Sequence, residues 1–181
     1  MRYVELHCRS NFSFLQAASH PDELVERAAE LGYAGIAITD RESIAGVVRG
    51  HGPAKERGLQ YIVGAEVHPT DSPPMVLWPT DRAAYGRLCR MLSLGRTRCE
   101  KGRCELSFAD VAEFSEGIQA GMLPMNACPE GEDLPVRSAH RSRRSSVEPN
   151  RAQPRGAWRR FLRGPFRDVF SGRAYLLASL H

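Results

Sequence analysis

A chain of 181 residues has room for one ordinary hydrophobic core with an appendage, and none for a large multidomain enzyme. Hydrophobic residues at 42% and charged residues at 25% exclude wholesale disorder, and no run approaches the roughly 18 apolar residues that span a bilayer. The formal charge of +4 arises between Met125 and Pro165, where Arg137, Arg141, Arg143, Arg144, Arg151, Arg155, Arg159, Arg160 and Arg163 outnumber Glu130, Glu132, Asp133 and Glu148. A surplus confined to one low-complexity stretch says little about a folded nucleic-acid surface. The start, Met1 to His7, carries no secretory pattern. The odd set Cys8, Cys89, Cys99, Cys104 and Cys128 argues against a disulfide framework, so reduced thiols and a cytoplasmic location are expected.

In chain order, Tyr3–Cys8 alternates as a short strand, and Ser10–Ser13 supplies a polar loop. Ser19 is placed to cap a helix, with Pro21 in its first turn and Asp22 three residues after the cap. Leu24, Val25, Ala28 and Leu31 form its apolar face, and Gly32 ends it. Gly35–Asp40 is a compact apolar run of the kind a buried parallel strand shows. Ile44, Val47, Val48, His51 and Ala54 then fit one helix face, closed by Gly58. Leu59–Gly64 is a third strand, with Glu66 just past it. Strand, helix, strand, helix, strand implies right-handed crossovers in an α/β sheet or barrel.

Met75–Trp78 is a fourth strand, Thr80 is placed to cap a helix bearing Ala84, Leu88, Met91 and Leu92, and a further helix starts at Ser107 with Phe108, Val111 and Ala112 on its apolar face. From about Met125 the periodicity collapses. Ser138–Pro154 is rich in Arg, Ser and Pro, with too few apolar groups to offset the entropy of ordering it, so disorder is expected there. Periodicity returns at Trp158–Leu162 and Phe166–Phe170, and Ala174–Ala178 reads as a strand.

His7, Asp40 and Glu66 each fall at or just after a strand end, and in parallel α/β architectures those ends share one face. Imidazole with carboxylates suits Zn, Mn or Fe, and such ions activate water against phosphoesters. The plainer alternative is a partly exposed histidine with two capping or loop carboxylates. His51 suits a packed or partly exposed helix position, and His20 a helix start. Cys99 and Cys104 lack the second pair a structural zinc site needs. His68, His140 and His181 have no convergent partners in the linear pattern. The arginines around Arg141–Arg144 lack the interleaved aromatics of a single-strand groove.

The phrases His7-Cys8-Arg9-Ser10, Thr39-Asp40-Arg41 and Gly64-Ala65-Glu66 resemble, in order and interval, the His-x-His-Ser, Thr-Asp-His and Gly-x-Glu motifs of PHP domains, named for polymerases and histidinol phosphatases. Ser10-Asn11-Phe12-Ser13-Phe14-Leu15 and Ala18-Ser19-His20-Pro21 are similar to the error-prone branch of the DNA polymerase III alpha subunits. The resemblance covers roughly Tyr3 to Pro124, with further likeness near Phe166–His181. It implies an α/β fold, an incomplete PHP-type distorted (β/α) barrel. The expected organisation is a PHP-like unit over 1–124, a disordered Arg/Ser/Pro-rich segment over 125–165 and a helix-strand continuation over 166–181.

Arg9 and Arg41 stand where metal-binding members carry histidines, and a guanidinium offers no lone pair. The resemblance therefore implies a vestigial metal site at His7, Asp40 and Glu66, salt-bridged and holding at most a weakly bound Zn or Mn ion. The implied role is that of a structural fragment of an error-prone DNA polymerase, serving damage-tolerant DNA replication and repair. It would lack catalytic residues for nucleotidyl transfer and would meet DNA and polymerase-accessory proteins only in the intact protein. The alternative is a stand-alone metal-dependent phosphoesterase. The middle stretch resembles one read out of frame, and the end an early stop.

Overall fold

The computed structural model describes residues 3–123, 161 and 163–176. Strand β1 (Val4–Cys8), helix α1 (Pro21–Glu30), strand β2 (Gly35–Ile38), helix α2 (Val47–Arg57) and strand β3 (Gln60–Val63) alternate as the apolar periods require. The three strands form a parallel sheet in the order β1-β2-β3. Both connecting helices pack on it through a small core of Val25, Ala28, Ile36, Ile38, Ala54 and Leu59. All four residues of β2 are buried, which accounts for its unbroken apolar run.

Strands β4 (Ala65–Val67), β5 (Met75–Pro79), β6 (Ile118–Met122) and β7 (Ala174–Leu176) make a second sheet in that order. The β4-β5 and β5-β6 pairs are antiparallel, and β6-β7 is parallel. Helices α3 (Arg82–Thr97), α4 (Phe108–Glu113) and α5 (Pro165–Val169) cover this sheet. Leu77, Leu88, Met91, Leu106, Ile118, Phe166 and Phe170 share the larger core. The piece after residue 165 is thus tied into that core, with β7 paired to β6. The expected disordered segment 125–165 lies outside the described residues except at its end.

Several boundaries differ from the sequence expectation. The α1 N-cap is His20 rather than Ser19, and the Glu23 carboxylate accepts from the His20 backbone N–H at 2.8 Å. Asp81, not Thr80, caps α3 by accepting from the Ala84 N–H, while the Thr80 hydroxyl donates to the Gly117 carbonyl. Val48 points outward at 85% exposure, because Gly50 and Ala54 provide the close approach of α2 to the sheet. Glu66 lies inside β4 rather than in a loop, and β6 had no sequence signal, since Gln119 and Gly121 interrupt its apolar pattern.

Gly64 marks the crossing of the two sheets. A β-carbon there would sit 2.8 Å from Thr39 Cγ2, 2.8 Å from Trp78 Cδ1 and 3.0 Å from the Leu77 carbonyl oxygen. The glycine of the Gly64-Ala65-Glu66 phrase is therefore required by packing, and it sets Glu66 against the ends of β1 and β2. An isolated parallel bridge between Arg41 and Glu66 and a hydrogen bond from Trp78 Nε1 to the Leu6 carbonyl further join the sheets.

Candidate functional site at the strand ends

Beyond the carboxyl ends of β1 and β2, and at the middle of β4, two buried carboxylates sit in different surroundings. Asp40 is 1% exposed. Its Oδ1 accepts from the Ser10 backbone N–H at 2.7 Å and the Ser13 hydroxyl at 2.7 Å, and its Oδ2 accepts from the Ser10 hydroxyl at 2.6 Å. Every one of these donors is neutral and belongs to the loop following β1.

Glu66 is fully buried and is held by cationic or aromatic nitrogen donors. Arg9 lays its guanidinium fork across the carboxylate, Nε to Oε2 at 2.7 Å and Nη2 to Oε1 at 2.7 Å, the bidentate geometry that favours arginine over lysine. His7 Nε2 reaches Oε2 at 2.8 Å and His68 Nε2 reaches Oε1 at 2.5 Å. An ionised carboxylate only accepts, so both imidazoles carry their hydrogen on Nε2 and donate it. Burial pushes the Glu66 carboxyl up, but the hydrogen bonds from His68, His7 and Arg9 outweigh it and hold the group well below the usual carboxylate range.

The structure brings His7 and Glu66 together and places Asp40 nearby, clamped to a separate loop. His68, which had no convergent partner in the linear pattern, joins the cluster. His68 stands one residue past the end of β4 and two past Glu66, and the hydrogen bond between them puts both side chains on one side of the chain; that period-two spacing was the available signal. Arg9 pairs with the carboxylate as anticipated. Arg41 does not: it meets only the Glu66 backbone through the β-bridge, its side chain is exposed, and among the described residues no carboxylate lies within ion-pair distance of it. Glu42, next to it, adopts φ 51°, and burial pushes its carboxyl up.

The remaining candidates have structural surroundings. His20 Nδ1 accepts from the Asn11 amide at 2.8 Å, and His51 lies edge-on to Tyr61. Burial pushes the Cys104 thiol up to about 11 and that of Cys8 likewise to about 11, which leaves both poor ligands and poor nucleophiles. Asp110, which the sequence reading passed over, caps α4 through Ser107 and accepts a fork from Arg98 at 2.6 and 2.9 Å, locking α3 to α4. His140 and His181 lie outside the described residues. Among the described residues no group of three or more His, Cys, Asp or Glu side chains is arranged to hold a metal ion, and no helix is long and apolar enough to cross a membrane.

The model of the PHP domain matches residues 5–152, the stretch that holds His7, Asp40 and Glu66. The chain belongs to the PHP domain family. Its relatives narrow the class further: it is 68% identical over 181 residues, all of this chain, to an error-prone DNA polymerase of Rhodopirellula baltica, of which it spans 14%. It is 49% identical over 124 residues, 67% of its length, to an error-prone DNA polymerase of Aromatoleum aromaticum, spanning 12% of that protein. The Rhodopirellula alignment runs through residues 125–165, so that stretch has an aligned counterpart in a relative. Among solved structures, a protein from Bifidobacterium adolescentis described as a metal-dependent phosphoesterase superposes with a TM-score of 0.55 at 16% identity, over 67% of this chain and 66% of its own. That likeness concerns the fold.

Proposed function

We propose that this chain is the PHP module of an error-prone DNA polymerase, supporting damage-tolerant DNA synthesis structurally while nucleotidyl transfer, DNA contact and accessory-protein contact belong to the rest of such a polypeptide. In this reading His7, Asp40 and Glu66 are vestigial ligand positions. The observation that carries it is the Arg9 fork on Glu66: both carboxylate oxygens that would face an ion are engaged by a permanent cation and two imidazole donors. Asp40 is equally engaged by Ser10 and Ser13. An incoming Zn or Mn would have to displace the guanidinium and would be repelled by it at close range. The residues present therefore do not fit a metal cluster, and we assign no hydrolytic step to this site.

The test pairs metal analysis of the purified chain with phosphomonoester hydrolysis in the presence and absence of Mn or Zn. We expect substoichiometric metal and no turnover above the protein-free control. Stoichiometric metal with turnover lost in Asp40→Asn would establish the phosphoesterase reading instead. Primer extension by the isolated chain is expected to be absent, and template-dependent incorporation would overturn the support role.

A further inference from the structure

The loop joining β1 to α1 presents two adjacent apolar side chains to solvent, Phe14 at 83% and Leu15 at 89% exposure, with Phe12 at 39% beside them. Such exposure would be unremarkable on a floppy segment, but this loop is tied down at both ends and in its middle. Ser10 and Ser13 are buried and bonded to Asp40. The Ser13 N–H donates to the Ser10 carbonyl at 2.9 Å, the Gln16 N–H to the Ser13 carbonyl at 2.9 Å, and the Asn11 N–H to the Ser19 carbonyl at 2.8 Å. Leu15 is held at φ 62°, a left-handed conformation that a branched residue adopts only when its surroundings impose it. From Ser10 to Ser19 no side chain is charged.

A preorganised apolar pair on a neutral loop suits insertion into a protein cleft, since little ordering entropy remains to be lost on binding. The occupant follows from length. This chain accounts for 14% of the 68%-identical relative, so the other 86% of that polypeptide is covalently joined to its matched stretch and is held beside it at high effective concentration. We propose that Phe14 and Leu15 are a docking prong for an apolar cleft on the polypeptide that accompanies the PHP domain in the longer relatives, with Asp40 as the residue that positions the prong. This deepens the support reading and rests on it.

The experiment is maleimide labelling of Leu15→Cys and, separately, Phe14→Cys, read at peptide level so that the native thiols are counted apart. Each variant is placed in the 181-residue chain and in the Rhodopirellula polymerase carrying this chain in place of its matched stretch. Both positions are solvent-exposed, so substitution leaves the fold intact. Labelling in the longer protein is expected to be slower by about tenfold or more, and Asp40→Ala, which frees the loop, should narrow that gap. Equal rates in the two proteins would overturn the proposal. So would protection in the 181-residue chain alone that grows with its concentration, because the occupant would then be a second copy. The support reading fails on metal-dependent turnover, measured separately and without effect on labelling rates.

Discussion

Asp40 and Glu66 are both buried carboxylates at the same rim, yet the chain neutralises them in different ways. Asp40 receives neutral donors from a single loop and organises that loop. Glu66 receives a guanidinium and two imidazoles from β1 and from beyond β4, and so joins the two sheets electrostatically. A buried charge unfavourable in isolation can be retained either by hydrogen bonds or by an opposite charge, and the choice decides which substitutions the site tolerates. Hydroxyls can reverse and accept; guanidinium nitrogens cannot.

The largest effect is expected at the ionic centre. Arg9→Met leaves a buried carboxylate with two imidazoles, and Glu66→Gln leaves a guanidinium facing an amide nitrogen. Each should cost about 3–5 kcal/mol in urea unfolding followed by tryptophan fluorescence. The double replacement Arg9→Met with Glu66→Leu should recover a large part of that loss, since removing both charges avoids an orphan. A loss below about 1 kcal/mol for either single variant would mean that the pair behaves as a surface contact.

Acid sharpens the same contrast. The folded-state pKa of Glu66 is depressed below its ordinary 4.5, so the folded state binds its proton more weakly than the unfolded chain does. The resulting stability is fully present above about pH 4.5 and is lost as pH falls from there toward the folded value. The stability gap between the unaltered chain and Glu66→Gln should therefore narrow between pH 6 and pH 3, and a gap constant across that range would place its origin in packing. At the neutral centre the effect is smaller. Asp40→Asn should cost only about 1 kcal/mol because the Ser10 hydroxyl can turn to accept from the new amide, whereas Asp40→Ala, losing all three bonds, should cost about 2–4 kcal/mol.

Much of this was legible beforehand. The three parallel strands and their helices follow from apolar period and from glycines such as Gly58, and His7 and Asp40 stand at the ends of β1 and β2 as expected, whereas Glu66, expected just past the third strand, lies inside β4. The second sheet was less so, because β4 is three residues long and β6 carries glycine and glutamine, leaving long-range pairing to decide them. His68 was overlooked because β4 was not recognised as a strand, and with it the period-two relation to Glu66. The roles of the two arginines were also indistinct in sequence. Each follows a strand, and only the backbone path separates Arg9, which turns inward onto Glu66, from Arg41, which is left in solvent.

That separation yields the smallest predicted effect and a discriminating one. Arg41 is exposed and has no carboxylate within ion-pair distance among the described residues, so Arg41→His should change stability by no more than about 0.5 kcal/mol. It should also fail to recruit Mn or Zn in a metal-binding titration, because the Arg9 fork still covers both oxygens of Glu66. Arg9→His removes that cover and is the variant in which uptake, even weak, should first be detected. Stoichiometric metal in Arg41→His alone would reverse the assignment, making the exposed arginine the residue that keeps ions out and reducing the buried fork to a contact that a metal readily displaces.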